Sequence, residues 1–183
     1  AGCLVGTEMG NRDRGWTAYP HQLEMVERVS AGQSILLLAP TGAGKTLSSF
    51  LPSLIDLAHT PRTGLHTLYL SPIKALAVDI ARNLETPISE MGLPISVETR
   101  TGDTPQSKRN RQRSAPPNML MTTPESLELM LSWSDAEKLF SSLKLIIIDE
   151  IHTLSGTKRG DLLPLSLSAL RHLATKSQSI GLS

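Results

Sequence analysis

The chain has a single cysteine, Cys3, in 183 residues. No disulfide can form within it, and a reducing compartment, the cytoplasm, is the expected location. Long apolar runs are missing as well. The longest candidates, Ile35 to Ala39 and Leu145 to Ile148, fall far short of the ~20 residues that cross a bilayer, so no membrane partner is expected. Residues 1–14 carry no apolar stretch behind a basic one, and nothing in them reads as a secretory signal. Nor is there an excess of charge of either sign. Eighteen Lys and Arg stand against 17 Asp and Glu, a net charge of +1, so any case for a polyanionic partner must rest on local sites. With 39% hydrophobic and 19% charged residues the chain is not disordered, and its length suits one domain of the usual ~100–200 residues.

What is present is an alternation of short apolar runs with longer amphipathic stretches, the pattern of an α/β domain with a mostly parallel central sheet and helices on both faces. Strands are predicted at Ser34–Ala39, His66–Ser71, Ile95–Thr99, Asn118–Thr122, Leu143–Asp149 and Ser179–Leu182. Helices are predicted at Pro20–Ser30, Gly44–Leu57, Ile73–Glu90, Pro105–Arg113, Pro124–Leu131 and Pro164–Ala174. Proline suits a first helical turn, where its missing N–H has no partner anyway. Pro52 falls inside a helix, and a kink is expected there. Residues 1–15 read as a loose lead-in and residues 16–183 as the domain. The segment Thr101 to Pro117 is polar and basic, with Lys108, Arg109, Arg111 and Arg113. A solvated helix face is its plain reading and a nucleic-acid contact the alternative.

The most informative stretch is Ala39-Pro-Thr-Gly-Ala-Gly-Lys-Thr46, placed after an apolar strand and before a helical pattern. That is the context of a P-loop. Thr41, Gly42, Ala43 and Gly44 fold the backbone so that consecutive N–H groups point at phosphate oxygens. Lys45 reaches the β- and γ-phosphates, and the Thr46 hydroxyl suits Mg²⁺. The first position of the pattern, usually Gly, is Ala39 here. Hydrolysis needs carboxylates too, and Leu145-Ile-Ile-Ile-Asp-Glu-Ile-His152 supplies them at the end of a buried strand. Asp149 is the expected metal-side carboxylate and Glu150 the base that orients attacking water. His152, three residues after Asp149, joins the candidate catalytic set with Lys45; a surface imidazole is its alternative.

With these motifs stand Ser71-Pro-Ile-Lys-Ala-Leu-Ala77, Thr101-Gly-Asp-Thr104 and Thr122-Thr-Pro-Glu125. The ordered series resembles motifs I, Ia, the intermediate Gly motif, Ib and II of superfamily 2 helicases of the DExH subtype. Within that superfamily the chain resembles the Lhr (large helicase-related) group, most of all the bacterial ligase-associated DExH-box helicases. The residues concerned are Gly15-Trp-Thr, Pro20-His-Gln-Leu-Glu24, Gly64-Leu-His-Thr-Leu-Tyr69, Val97 to Pro105 and Lys158-Arg-Gly-Asp161. The resemblance implies a RecA-like domain with ATP and Mg²⁺ as cofactors. It also implies an ATP-driven translocase on single-stranded DNA, typically 3′ to 5′, acting in DNA repair, with DNA ligase among the possible partners. RNA or an RNA–DNA hybrid is the alternative polymer, and another class of P-loop ATPase the alternative enzyme. That last class leaves the Ser71, Thr101 and Thr122 motifs unexplained.

By the same resemblance, Ser71, Pro72, Lys74, Thr101, Gly102, Thr122, Thr123, Pro124 and Glu125 hold sugar-phosphate oxygens through hydroxyls and helix-start amides. Gln22 resembles the adenine-recognising glutamine, with a surface-helix role as the alternative. Trp16 and Tyr19 either stack on the base or pack the lead-in. Arg159 and Gly160 match a helix-start motif after motif II. Gly181-Leu-Ser183 resembles the opening of motif III, and a second RecA-like domain with an arginine finger is the expected partner for turnover. Alone, the chain is expected to hydrolyse nucleotide very slowly.

Overall fold

The computed structural model describes residues 20–38, 45–151 and 158–183. Among these the chain alternates strand and helix: α1 (Pro20–Ser30), β1 (Ile35–Leu37), α2 (Lys45–His59), β2 (Thr67–Leu70), α3 (Lys74–Glu90), β3 (Val97–Arg100) and α4 (Gln106–Ser114). There follow β4 (Met119–Thr122), α5 (Pro124–Leu131), α6 (Ala136–Phe140), β5 (Leu145–Ile148), α7 (Lys158–Leu173) and β6 (Gln178–Leu182). The strands form one sheet in the order β1-β6-β5-β2-β4-β3, and every pairing is parallel. This is the RecA-like α/β architecture expected from the sequence.

The central strands β2, β4 and β5 are buried along their whole length, which is why their sequences run apolar without polar alternation. Both faces of the sheet are covered. Tyr69, Met119, Met121, Leu145 and Ile147 pack beneath α1, α2 and α3, while Leu68, Leu70, Leu120, Ile146 and Ile148 pack beneath α5, α6 and α7. Each such side chain contributes about 1.5–3 kcal/mol on burial. At one edge β1 exposes Leu36; at the other, β3 is lined by α4, whose Gln112 donates to the Thr99 carbonyl at 3.1 Å. Among the described residues, no helix is long and apolar enough to cross a membrane.

Four expectations need correction. The last helix begins at Lys158, and Pro164 lies inside it instead of opening it. Pro164 is exposed, so water can serve the carbonyl it leaves unpaired, while Leu163, Leu167 and Leu170 hold the opposite face on the core. The five-residue helix α6 was not expected; it is too short to show a period, and is fixed by burial of Leu139 and Phe140. The edge strand β3 begins at Val97, not Ile95. The helix α2 runs on through Pro52 to His59.

Candidate active site and nucleic-acid edge

The register aligns the carboxyl ends of four strands, with Leu70 level with Thr122 and Ile148, and Arg100 level with Thr122. The residues that follow, Thr101, Thr123, Ser71 and Asp149, therefore stand in a row along one edge of the sheet. Backbone bonds continue the ladder past the strand ends: Ser71 N–H donates to the Thr122 carbonyl at 3.0 Å and Asp149 N–H to the Leu70 carbonyl at 2.9 Å. The helix α2 starts at the same edge, since it follows parallel β1, so Lys45 and Thr46 join this row. The helix α1 returns into β1 through a short turn, which brings its first turn, with buried Gln22, to the same end.

Asp149 is buried, and both carboxylate oxygens are held. Tyr69 donates its phenol proton to Oδ2, and the Glu150 N–H donates to Oδ1 at 2.8 Å. Burial, and then the Asp149 carboxylate, push the Tyr69 phenol far above its ordinary range, so it remains a donor. Glu150 takes a left-handed backbone with φ of 50°, uncommon for a residue with a Cβ, and turns the chain sharply at the strand end. Ile151 then packs over Gly181 of β6.

The helix α2 is placed by contacts at two levels. Its buried face carries the small residues Ser48, Ser49 and Ser53 beside Phe50 and Leu54, which lets it lie close to the sheet. Near its start Phe50 meets Tyr69 at 5.5 Å between ring centroids, and Ser49 donates to the Thr46 carbonyl at 2.7 Å. Further along, Thr67 donates to Ser53 at 2.6 Å, and buried His66 lies 2.8 Å from both Thr67 and Asp56.

On the other half of the edge, the first turn of α3 has no side-chain cap; Ile73 holds the cap position and its N–H bonds the Ser71 hydroxyl at 3.2 Å. Pro72 is half-buried. Lys74 is exposed and ion-paired with Asp103 at 3.1 Å, beside Gly102. The Thr101 hydroxyl accepts from Asp103 N–H, and Arg109 donates to the Thr101 and Gly102 carbonyls. Thr122 is buried and donates to the Arg100 carbonyl at 2.7 Å. Thr123 caps α5 by accepting from Ser126 N–H, with Pro124 and Glu125 in that helix's first turn.

The basic residues of α4 are largely matched. Arg111 pairs with Glu98 at 2.8 Å, Lys108 lies 3.9 Å from Glu98, and Arg113 pairs with Asp135 at 2.6 Å. Burial opposes the charge on Glu98, yet hydrogen bonds from Arg111 and Gln112 hold its carboxyl below the ordinary range. The Trp133 ring meets two guanidinium groups, Arg100 at 4.5 Å and Arg113 at 4.9 Å from its centroid. Burial, with Arg109 and Arg113 nearby, brings Arg100 down to about 10.

The structure thus brings Lys45, Thr46, Asp149, Glu150, Ser71, Lys74, Thr101, Gly102, Thr122 and Thr123 to one edge. Trp16, Tyr19, Ala39, Thr41, Gly42, Ala43, Gly44 and His152 lie outside the described residues, while Arg159 and Gly160 fall in the first turn of α7. Tyr69, Phe50 and Trp133 were not anticipated.

The family model of the DEAD/DEAH box helicases matches residues 19–183. The chain belongs to the DEAD/DEAH box helicase family. It is the family's ATP-binding domain, and its resemblance to Lhr helicases is borne out by relatives. The Lhr helicase/probable uracil glycosylase of Mycolicibacterium smegmatis is 46% identical over 178 residues, which is 90% of this chain and 12% of that protein. The ATP-dependent helicase Lhr-Core of Methanothermobacter thermautotrophicus is 39% identical over 169 residues, 85% of this chain and 20% of that protein. Among solved structures, Mycobacterium smegmatis helicase Lhr bound to ssDNA and AMP-PNP matches with a TM-score of 0.81 and 45% identity, over 91% of this chain and 23% of that one. The DUF1998 helicase MrfA bound to DNA and AMPPNP matches with a TM-score of 0.82 and 32% identity, over 96% of this chain and 25% of that one. The chain spans between an eighth and a fifth of the length of these two curated helicases.

Proposed function

We propose that this helicase domain binds ATP with Mg²⁺ and, within a longer protein, couples its hydrolysis to 3′ to 5′ movement along single-stranded DNA. The observation that carries the proposal is the shared strand-end row, in which Asp149 on the nucleotide side stands beside Ser71 on the nucleic-acid side. The two DNA-bound relatives favour DNA as the polymer. A reducing cytoplasm suits the lone cysteine, and DNA ligase is a repair partner to test.

Lys45 binds the β- and γ-phosphates at the start of α2, where unpaired amides also favour an anion. The metal fits the residues present. Thr46 and Asp149 offer hard oxygen donors, and each Asp149 oxygen keeps a lone pair after its bonds to Tyr69 and Glu150. Mg²⁺ supplies charge neutralisation on the phosphates. Glu150, turned out of the strand by its left-handed backbone, orients the attacking water and takes up its proton. Gln22 selects adenine through its amide. A second RecA-like domain brings an arginine finger, worth about 10³–10⁵ in rate.

Grip on the polymer is sequence-independent, as a translocase requires. The hydroxyls of Ser71 and Thr122 already donate to protein carbonyls. Contact with phosphate therefore falls mainly to the uncapped amides of α3, to Lys74 and to the open backbone at Gly102, with Thr101, Pro72 and the Thr123-Pro124-Glu125 turn shaping the track.

The test is Glu150→Gln in the full-length protein. ATP binding should persist while strand-stimulated hydrolysis falls by about 10²–10⁴ and unwinding stops; retained unwinding rejects the assignment. Competition among DNA, RNA and hybrid strands in the same assay identifies the polymer, and equal stimulation by RNA refutes the DNA preference.

A further inference from the structure

The phenol of Tyr69 takes no part in the proposed chemistry, yet it is placed at its centre. Tyr69 is fully buried in the middle of the sheet, on β2, where phenylalanine would fill the same space without a polar group to satisfy. Its hydroxyl proton goes to Oδ2 of Asp149 on the neighbouring strand, while the Ser71 side chain lies against the phenol oxygen. Its ring lies against Phe50, one helical turn beyond Thr46 on α2. One side chain thus touches both elements that carry the oxygen donors expected at the metal, Asp149 directly and the Thr46 helix through Phe50.

Two donors approach the Asp149 carboxylate from different sides, Tyr69 at Oδ2 and the Glu150 amide at Oδ1. The amide belongs to the adjoining residue and moves with the strand end; Tyr69 belongs to another strand. Tyr69 is therefore the bond that fixes the plane of the carboxylate relative to the rest of the sheet. The ring's own position is fixed in turn by packing on all sides, as a positioning group requires.

We propose that Tyr69 is a positioning residue that orients the Asp149 carboxylate toward the nucleotide-bound metal, and that its hydroxyl is needed for hydrolysis and not for nucleotide binding. The proposal rests on the helicase reading of Asp149 given above. Outer-shell hydrogen bonds of this kind typically change metal affinity or activity by about 10–100-fold when removed.

The experiment is Tyr69→Phe in the full-length protein, with Glu150→Gln in parallel. The variant should keep its thermal midpoint within a few degrees, because the ring contact with Phe50 survives. Its kcat at saturating single-stranded DNA should fall about tenfold or more, and its half-saturating Mg²⁺ concentration should rise by about the same factor. The KM for ATP at saturating Mg²⁺ should move by less than about threefold, since uniform binding is untouched. A merely structural role lowers the thermal midpoint and the active fraction without shifting the Mg²⁺ requirement. Unchanged kcat and Mg²⁺ midpoint in a folded Tyr69→Phe protein overturn the proposal. If Glu150→Gln also retains hydrolysis, the helicase reading itself has failed; if only Tyr69→Phe is wild-type, Tyr69 alone is misassigned. Should the Phe variant not fold, Tyr69→Met, of similar length and without the hydroxyl, is judged by the same readouts.

Discussion

Gly181 and Ile151 approach so closely that a Cβ added to Gly181 would lie 2.5 Å from Ile151 Cδ1, and 3.0 Å from Leu36 Cδ1 on its other side. The glycine is thus the floor on which the turn after Asp149 and Glu150 rests. Alanine here must displace the Cδ1 tip of Ile151, the side chain that follows the sharp bend at Glu150. Gly181→Ala is expected to destabilise the chain by about 1–3 kcal/mol and to lower hydrolysis in the full-length protein. Urea unfolding and an ATPase assay check both effects; an unchanged midpoint would show that Ile151 moves aside freely.

Lys74 and Asp103 form an exposed ion pair across the edge assigned to nucleic acid. The acid competes with phosphate for the one lysine at the start of α3. Lys74→Ala should weaken single-stranded DNA binding by a similar factor on every sequence, as expected of a phosphate contact. Asp103→Asn should strengthen it. Fluorescence anisotropy with several oligonucleotides decides the matter, and a weaker complex with Asp103→Asn contradicts the assigned edge.

His66 gives a pH dependence whose sign follows from its burial. Burial lowers its pKa despite the hydrogen bond to Asp56, so the folded state prefers the neutral ring. The unfolded chain regains an ordinary value near 6.5. Stability from this group is complete above that value and is lost as pH falls through it toward the lower folded value. The urea midpoint of the native chain should therefore approach that of His66→Gln between pH 7.5 and 5.5. A gap that stays constant over this range refutes the assignment.

Much of this was legible in the residues. The run Leu145 to Ile148 announces a strand buried on both faces, and the carboxylates after it fall at the strand end because nothing apolar remains to bury. The short helix α6 was not legible, since five residues cannot display a period. The position of Pro164 misled because proline favours a helix start, while here an exposed face tolerates it within the helix. Tyr69 was hidden for a different reason. In a run of apolar residues its ring reads as core, and only pairing of β2 with β5 reveals that its hydroxyl reaches Asp149.

The basic helix α4 invites the idea of a cationic clamp, yet Glu98 and Asp135 answer three of its charges and Arg109 turns toward carbonyls of the Thr101 loop. Few condensed ions can then be shed from DNA on account of this helix. Each phosphate neutralised on a single strand contributes about −0.7 to the slope of log affinity against log salt. The share of that slope owed to α4 is accordingly small, and the hold on DNA proposed above would rest on a shallow set of dipoles that tolerates rising ionic strength. A translocase of the kind proposed, which releases and retakes the strand at every step, would gain from a surface that never binds it strongly in one place.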